Sequence, residues 1–94
     1  MMSDWIYAQT QKSDELAQLH YFSMKKHQQG TEVEFLITVR EFAERNAQMM
    51  RFFAIADKQT NQKTAPYTPC GWGETMLVAL SECIKAIHRF PYEG

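Results

Sequence analysis

The sequence predicts an α+β domain, with an antiparallel sheet of three or four strands and one long C-terminal helix packed on one face. Apolar residues alternate with polar residues over 32–42, which is the pattern of a strand with one buried face. Over residues 74–89 apolar residues recur every three or four positions, which is typical of an amphipathic helix. Gly30 marks a turn between strands, and Pro91 ends the helix.

Composition predicts a single domain over residues 1–94. The chain is 45% hydrophobic and 22% charged, which is the composition of a globular protein and not of a disordered one. Its formal net charge of −1 creates no overall field that would attract nucleic acid or an anionic membrane. We therefore expect neither of these as a partner.

The first residues lack the basic start and apolar run of a secretory signal. No apolar stretch approaches the roughly 20 residues that span a bilayer. Cys70 and Cys83 are too few for a disulfide scaffold. These features predict reduced thiols and a cytoplasmic location.

Residues 1–18 fit two local structures. Residues 5–8 could form a short strand, whereas Ser13 could cap a short helix that turns Leu16 and Leu19 inward. The sequence does not decide between them.

The antiparallel sheet is predicted over residues 19–58, with strands at 19–26, 32–42 and 49–57. Val33, Phe35, Ile37 and Val39 fall on one face of the second strand, which is the expected partner of the helix. The opposite face keeps apolar residues that need a cover. Either the N-terminal segment or a second copy of the chain could supply it.

The helix is predicted over residues 74–89. Its apolar residues form one stripe at 100° per residue. They are Met76, Leu77, Leu80, Cys83, Ile84 and Ile87.

A corner rich in glycine, proline and aromatic residues precedes the helix, within the loop 64–75. As a site it would bind a ligand through Tyr67, Cys70, Gly71, Trp72 and Gly73, because glycines admit a ligand to the backbone and helix N–H groups attract anions. As structure it would let the chain turn sharply while the aromatic side chains fill the core. The glycine spacing matches neither a phosphate loop nor a dinucleotide fingerprint, so the structural interpretation is favoured.

Lys25, Lys26, Lys58 and Lys63 form a second candidate site, for an anion. In a meander these residues lie at the same end of the sheet. Glu32 and Glu34 begin the second strand there and would partly neutralise them, so a solvated rim is the favoured interpretation.

The sequence predicts no catalytic residue, no metal site and no cofactor. His88 lies about 22 Å along the helix from Cys70, too far to act as its base. The spacing of the two cysteines and of the histidines gives no close pair of metal ligands. Cys83 lies on the apolar stripe, which is typical of a buried small side chain.

The predicted order strand-strand-strand-helix, together with the segment 73–87, resembles the HicB-type antitoxin domain. The matching residues are Gly73, Glu74, Thr75, the pair Ala79-Leu80 and the pair Ala86-Ile87. The resemblance implies an antitoxin that binds an RNase. The strands here lack the acidic, glycine-rich run of that family. Double-stranded-RNA-binding domains have a related topology, but their basic helix start is replaced here by acidic and neutral residues.

These features predict a small binding or interaction domain without catalytic activity, acting as a homodimer or with another protein. The alternative is a ligand-binding protein or enzyme that uses the corner Cys70-Gly71-Trp72-Gly73.

Overall fold

The computed structural model describes residues 4–94. Two short 3₁₀ helices, Asp4–Ala8 and Lys12–Asp14, precede four strands and one helix. The strands are β1 (Ala17–Gln28), β2 (Thr31–Phe42), β3 (Phe52–Ala56) and β4 (Cys70–Gly73), and the helix is α1 (Met76–Arg89). The strands form one antiparallel sheet in the order β1-β2-β3-β4. This confirms the predicted α+β fold with its C-terminal helix.

Strands β1 and β2 form a long hairpin. Every residue of β1 pairs with one of β2, from Ala17 with Phe42 to Gln28 with Thr31. Gln29 and Gly30 make the turn at φ values of 47° and 75°, in the left-handed region that glycine adopts without strain. Strand β3 pairs only with residues 37–41 of β2, so the turn end of the hairpin extends beyond the rest of the sheet.

Strand β3 is shorter than its predicted range of 49–57. The side chain of Asn46 accepts hydrogen bonds from the N–H groups of Gln48 and Met50, both at 2.9 Å. Met49 takes a φ of 64° within this turn. Such local bonds compete with a sheet ladder, so the strand begins only at Phe52.

Residues 70–73, predicted as part of the corner before the helix, form the fourth strand. Cys70 pairs with Ile55 and Gly73 with Phe52. The N-terminal segment, for which a strand or a helix was open, forms two 3₁₀ helices over its described part. Residues 1–3 of that segment lie outside the described residues.

Helix α1 packs on one face of the sheet, which we call the helix-covered face; the opposite one is the open face. The fully buried core between helix and sheet consists of Phe35, Ile37, Val39, Ala54, Ala56, Ala79, Cys83 and Ile87. The predicted inner face of β2 is therefore confirmed. Phe35, Ile37 and Val39 belong to the core, and Val33 packs against it. Leu77 departs from the predicted stripe, since it is 74% exposed while Ala79 is buried.

The residues after α1 return to the hairpin. Gln28 and Tyr92 exchange two hydrogen bonds, from the Gln28 amide to the Tyr92 carbonyl at 2.7 Å and from the Tyr92 N–H to the Gln28 side chain at 3.0 Å. The ring of Tyr92 packs edge-on against Phe35, with centroids 6.1 Å apart. This contact covers the part of the core that α1 does not reach.

Candidate functional site

Gly71 and Gly73 of the predicted corner lie under the helix. A Cβ on Gly71 would lie 2.6 Å from the Cβ of Glu82 and 2.8 Å from the carbonyl oxygen of Ala79. A Cβ on Gly73 would lie 2.5 Å from the backbone nitrogen of Ala79. Both glycines are buried, so they admit the helix backbone to β4 at close range. The close approach of α1 gives these two glycines a structural reason, which differs from the sharp turn that the sequence suggested.

Trp72 lies on the other side of the same strand, because side chains alternate along β4. Its ring lies 4.7 Å from that of Phe53 and is stacked 6.0 Å from that of Phe42, measured between centroids. Trp72 is nevertheless 41% exposed. We call Phe42, Phe53 and Trp72 the aromatic patch. It lies on the open face.

The other two corner residues are separated from the aromatic patch. Cys70 is half-buried on the open face, two residues before Trp72. Tyr67 precedes the strand and packs edge-on against Phe90, which follows the last turn of α1, at 5.4 Å. Of the five predicted ligand-binding residues, Cys70 and Trp72 lie on the open face, and Gly71 and Gly73 lie under the helix. Ligand binding at this corner stays a prediction.

A cleft of about 190 Å³ opens beside the aromatic patch. Its floor contains Phe42 and Trp72, and its rim mixes charged, amide and apolar side chains. The rim residues are Gln9, Lys12, Glu15, Leu16, Glu44, Arg45 and Asn46. Arg45 donates to the carbonyl oxygen of Met49 at 3.1 Å, which holds that side of the rim. The cleft is smaller than the roughly 300–1,000 Å³ of drug-sized ligand sites, and its size suits a single ring.

Sequence reasoning did not find this cleft, because its residues come from three distant segments of the chain. One signal was present: Phe42 and Phe53 both fall on the strand positions that do not face the helix. Large aromatic residues at such positions indicate a second packing surface.

Cys83 is buried against β4, as its place in the apolar stripe predicted. Its thiol donates to the carbonyl oxygen of Pro69, with sulfur and oxygen 3.6 Å apart. Burial, with a smaller contribution from Cys70, raises the pKa of the Cys83 thiol from 9.0 to about 12. A thiol held in this protonated state is a poor nucleophile.

The four predicted anion-binding lysines do not all lie on one face of the sheet. Lys26 lies on the helix-covered face, where it is buried and donates to the carbonyl oxygens of Ile87 at 3.0 Å and Phe90 at 2.8 Å. Burial lowers the pKa of the Lys26 ammonium. These two hydrogen bonds pair carbonyl groups at the end of α1. They use two of the three N–H donors of the ammonium, so little of it is available to a ligand.

Lys25 lies on the open face, with its ammonium 3.8 Å from the Glu32 carboxylate. Lys58 donates to the carbonyl oxygen of Glu34 at 2.7 Å and to the Asp57 carboxylate at 3.1 Å. Lys63 is exposed in the loop between β3 and β4. Anion binding by these three lysines stays a prediction, and the carboxylates beside Lys25 and Lys58 oppose it.

Within residues 4–94, no three His, Cys, Asp or Glu side chains come together in an arrangement that could hold a metal ion. None of the helices in that range has the length and apolar character needed to cross a membrane.

Comparison of the chain with protein families, with curated proteins and with solved structures finds no match.

Proposed function

We propose that this protein is a small interaction domain that acts by binding, as a homodimer, and not by catalysis. The observation that carries this proposal is the open face, which presents large apolar side chains to solvent. Leu36 is 51% exposed and Tyr21 is 71% exposed, and Trp72 of the aromatic patch lies on the same face. Apolar surface rimmed by polar residues is typical of a site where another protein binds.

The aromatic patch is the part of this face that suits a partner best. The ring of Trp72 contacts two other rings, so little side-chain entropy is lost when a partner covers it. Tryptophan is also among the residues that contribute most to binding energy at protein interfaces.

Sedimentation equilibrium tests the homodimer. We expect the mass of a dimer to dominate at high protein concentration and the mass of a monomer to appear on dilution. A strict monomer at every concentration would remove the homodimer from the proposal. It would leave binding to a different protein as the remaining role of the open face.

The cleft beside Trp72 supports a second function, the binding of a small ligand with a flat ring. Stacking on Phe42 and Trp72 would supply the contact, and Lys12 or Arg45 would pair with a negative group on the ligand. Benzoate is a suitable probe, since it carries one ring and one carboxylate. Saturable binding of benzoate in isothermal titration calorimetry, lost in Trp72→Leu and kept in Trp5→Leu, is expected if the cleft binds such ligands.

Thiol reactivity separates both binding functions from an enzyme that uses Cys70 as a nucleophile. An activated thiol alkylates with iodoacetamide much faster than a free cysteine does at pH 7. We expect Cys70 to react no faster than free cysteine and Cys83 to be protected. A strongly accelerated reaction at Cys70 would favour the enzyme.

A further inference from the structure

Strand β1 is the first strand of the sheet. Among residues 4–94 it pairs with β2 alone, so no described strand pairs with its other edge. The N–H groups of Leu36 and Phe42 bond on the β3 side, to the Asp57 side chain and to the Arg51 carbonyl. Since a strand alternates its bonding direction, the odd residues of β2 bond to the even residues of β1. The odd residues of β1 therefore direct their N–H and C=O groups outward.

Between Ala17 and Met24, this edge lacks most of the features by which sheet proteins commonly block an edge strand. Natural edges are protected by prolines, bulges, charged side chains or short strands. Strand β1 is twelve residues long, contains no proline or glycine, and keeps an unbroken register with β2. Between Ala17 and Met24 its only ionisable side chain of the Asp, Glu, Lys, Arg and His types is His20, which bonds to Glu41 at 3.0 Å. The opposite edge of the sheet, β4, is only four residues long.

Exposed apolar side chains lie on both faces of this edge. Leu19 and Tyr21 lie on the open face, while Phe22 lies on the helix-covered face and is 36% exposed. Phe22 stays uncovered because α1 packs over β4, β3 and β2 and not over this part of β1. An exposed strand edge flanked by apolar side chains is a template for another strand.

We infer that β1 pairs with β1 of a second copy, antiparallel and about a twofold axis at Phe22, so that two four-stranded sheets become one sheet of eight strands. This inference rests on the homodimer of the proposed function, but it places the interface at the edge of β1 and not on the exposed side chains of the open face. Residues 17–27 of one copy lie opposite residues 27–17 of the other.

In this register the central residues 20–24 of the two copies, which include no Lys, Arg, Asp or Glu, lie opposite each other. Phe22 lies opposite Phe22 in a pair without mutual backbone hydrogen bonds, where side chains approach most closely. Tyr21 lies opposite Ser23, and Lys25 lies opposite Leu19. The two Lys25 side chains start about 20 Å apart, so the cations of the two copies do not repel each other at close range. Both α1 helices lie on the same face of the joined sheet, because even residues face even residues.

A second copy explains these contacts better than a strand from an unrelated protein does. Pairing with an unrelated strand would not bring Phe22 opposite Phe22 or Tyr21 opposite Ser23. In the dimer the same segment supplies both sides, as isologous twofold interfaces require. The aromatic patch, near β4, stays away from the new junction and free for another partner.

Lysine variants test the inference by sedimentation equilibrium. Phe22→Lys places two ammonium groups opposite each other at the axis, and we expect it to weaken dimerisation about tenfold or more. The matched control is Leu77→Lys, which adds the same charge at a leucine of α1 that is 74% exposed and outside the proposed surfaces. We expect this control to dimerise as the original protein does. Leu36→Lys, on the open face, detects a dimer that forms through that face instead.

Disulfide trapping tests the register and does not depend on the folding of a lysine variant. In a Cys70→Ser background, Phe22→Cys places two cysteines opposite each other with Cα atoms about 4.5 Å apart, within disulfide range. We expect a disulfide-linked dimer from this variant and none from Lys25→Cys, whose cysteines would lie about 20 Å apart.

Different failures are distinguishable. A monomer in the original protein overturns the homodimer and leaves the β1 edge to a strand of another protein. A dimer lost in Leu36→Lys but kept in Phe22→Lys overturns the β1 interface and leaves the homodimer standing on the open face. Cross-linking through Lys25→Cys without cross-linking through Phe22→Cys also overturns the proposed pairing.

Discussion

The Lys26 ammonium donates to the carbonyl oxygen of Ile87 at 3.0 Å and thereby joins the first strand to the last turn of the only α-helix among residues 4–94. The last carbonyls of a helix have no partner within the helix, and Lys26 supplies one for two of the residues there. A positive charge at this end also interacts favourably with the helix dipole. One buried side chain thus couples two elements that are distant in the sequence.

We expect Lys26→Met to lower the free energy of unfolding by about 2 kcal/mol, because it removes two charge-assisted hydrogen bonds and leaves carbonyl groups unpaired. Urea denaturation followed by circular dichroism measures this loss. Lys25→Met is the matched control. Lys25 is largely exposed, and an exposed ion pair such as its contact with Glu32 contributes at most about 1 kcal/mol. Equal losses in the two variants would contradict the role of Lys26.

Gly71→Ala and Gly73→Ala should each destabilise the fold by about 3 kcal/mol or more, since the new Cβ would overlap the helix backbone and α1 would have to move. Thermal and urea denaturation measure this effect. Gly30→Ala is the control for glycine replacement in general. It has nothing within 4 Å of the new Cβ, and its positive φ should cost only about 1–2 kcal/mol. If all three variants lost the same stability, the close approach of α1 to β4 would not be the reason for the two glycines.

The Cys83 thiol should make the protein less stable in alkaline solution. Below pH 9 the thiol is protonated in both states, so its contribution is constant. Between pH 9 and about 12 the unfolded chain loses this proton while the folded protein keeps it. The free energy of unfolding should then fall by up to about 1.4 kcal/mol per pH unit from this group alone.

Urea denaturation at pH 8, 9, 10 and 10.5 measures this dependence. Comparison with Cys83→Ala removes the contribution of the other groups that titrate in this range. The curve of Cys83→Ala should fall less steeply with pH than that of the original protein. Cys70→Ala, which leaves Cys83 in place, should keep most of the steeper slope. Parallel curves for the original protein and Cys83→Ala would contradict the raised pKa.

Thr75 caps the start of α1, with its hydroxyl oxygen accepting from the Val78 N–H at 3.2 Å. We expect Thr75→Ala to cost about 1 kcal/mol, because this N–H loses its partner. Thr75→Ser keeps the hydroxyl and should lower the free energy of unfolding by only a few tenths of a kcal/mol. Urea denaturation of the two variants measures both losses. A serine variant as unstable as the alanine variant would show that the threonine methyl group, and not the hydroxyl, stabilises the helix start.

The elements with a clear period were predictable from the sequence. The alternation around Phe35 and Ile37 placed β2 and its buried face, and the helical stripe placed α1 and the burial of Cys83. Burial produces these patterns directly, since each element must turn its apolar side inward. The glycine turn at Gly30 follows from backbone sterics in the same way.

The remaining differences arise from contacts that no local pattern contains. Strand β4 has only four residues, two of them glycines, so it carries no alternation of side chains. Its glycines are required by a helix whose position depends on the whole sheet. The hydrogen bonds of the Asn46 side chain make β3 begin later than predicted. Leu77 is exposed because α1 turns Ala79 toward β4 instead. The cleft at Trp72 brings together segments that only the tertiary fold places side by side.

The strand order has a consequence for how fast the protein folds. In a meander, each strand pairs with its neighbour along the chain, and α1 packs against β4, which directly precedes it. Most loops that must close during folding are therefore short, and closing a short loop costs little chain entropy. Sheets whose strands pair with their neighbours along the chain cross the folding barrier faster than sheets with distant pairings. The tie between Lys26 and the end of the helix spans most of the chain, and we expect it to form late, after the barrier.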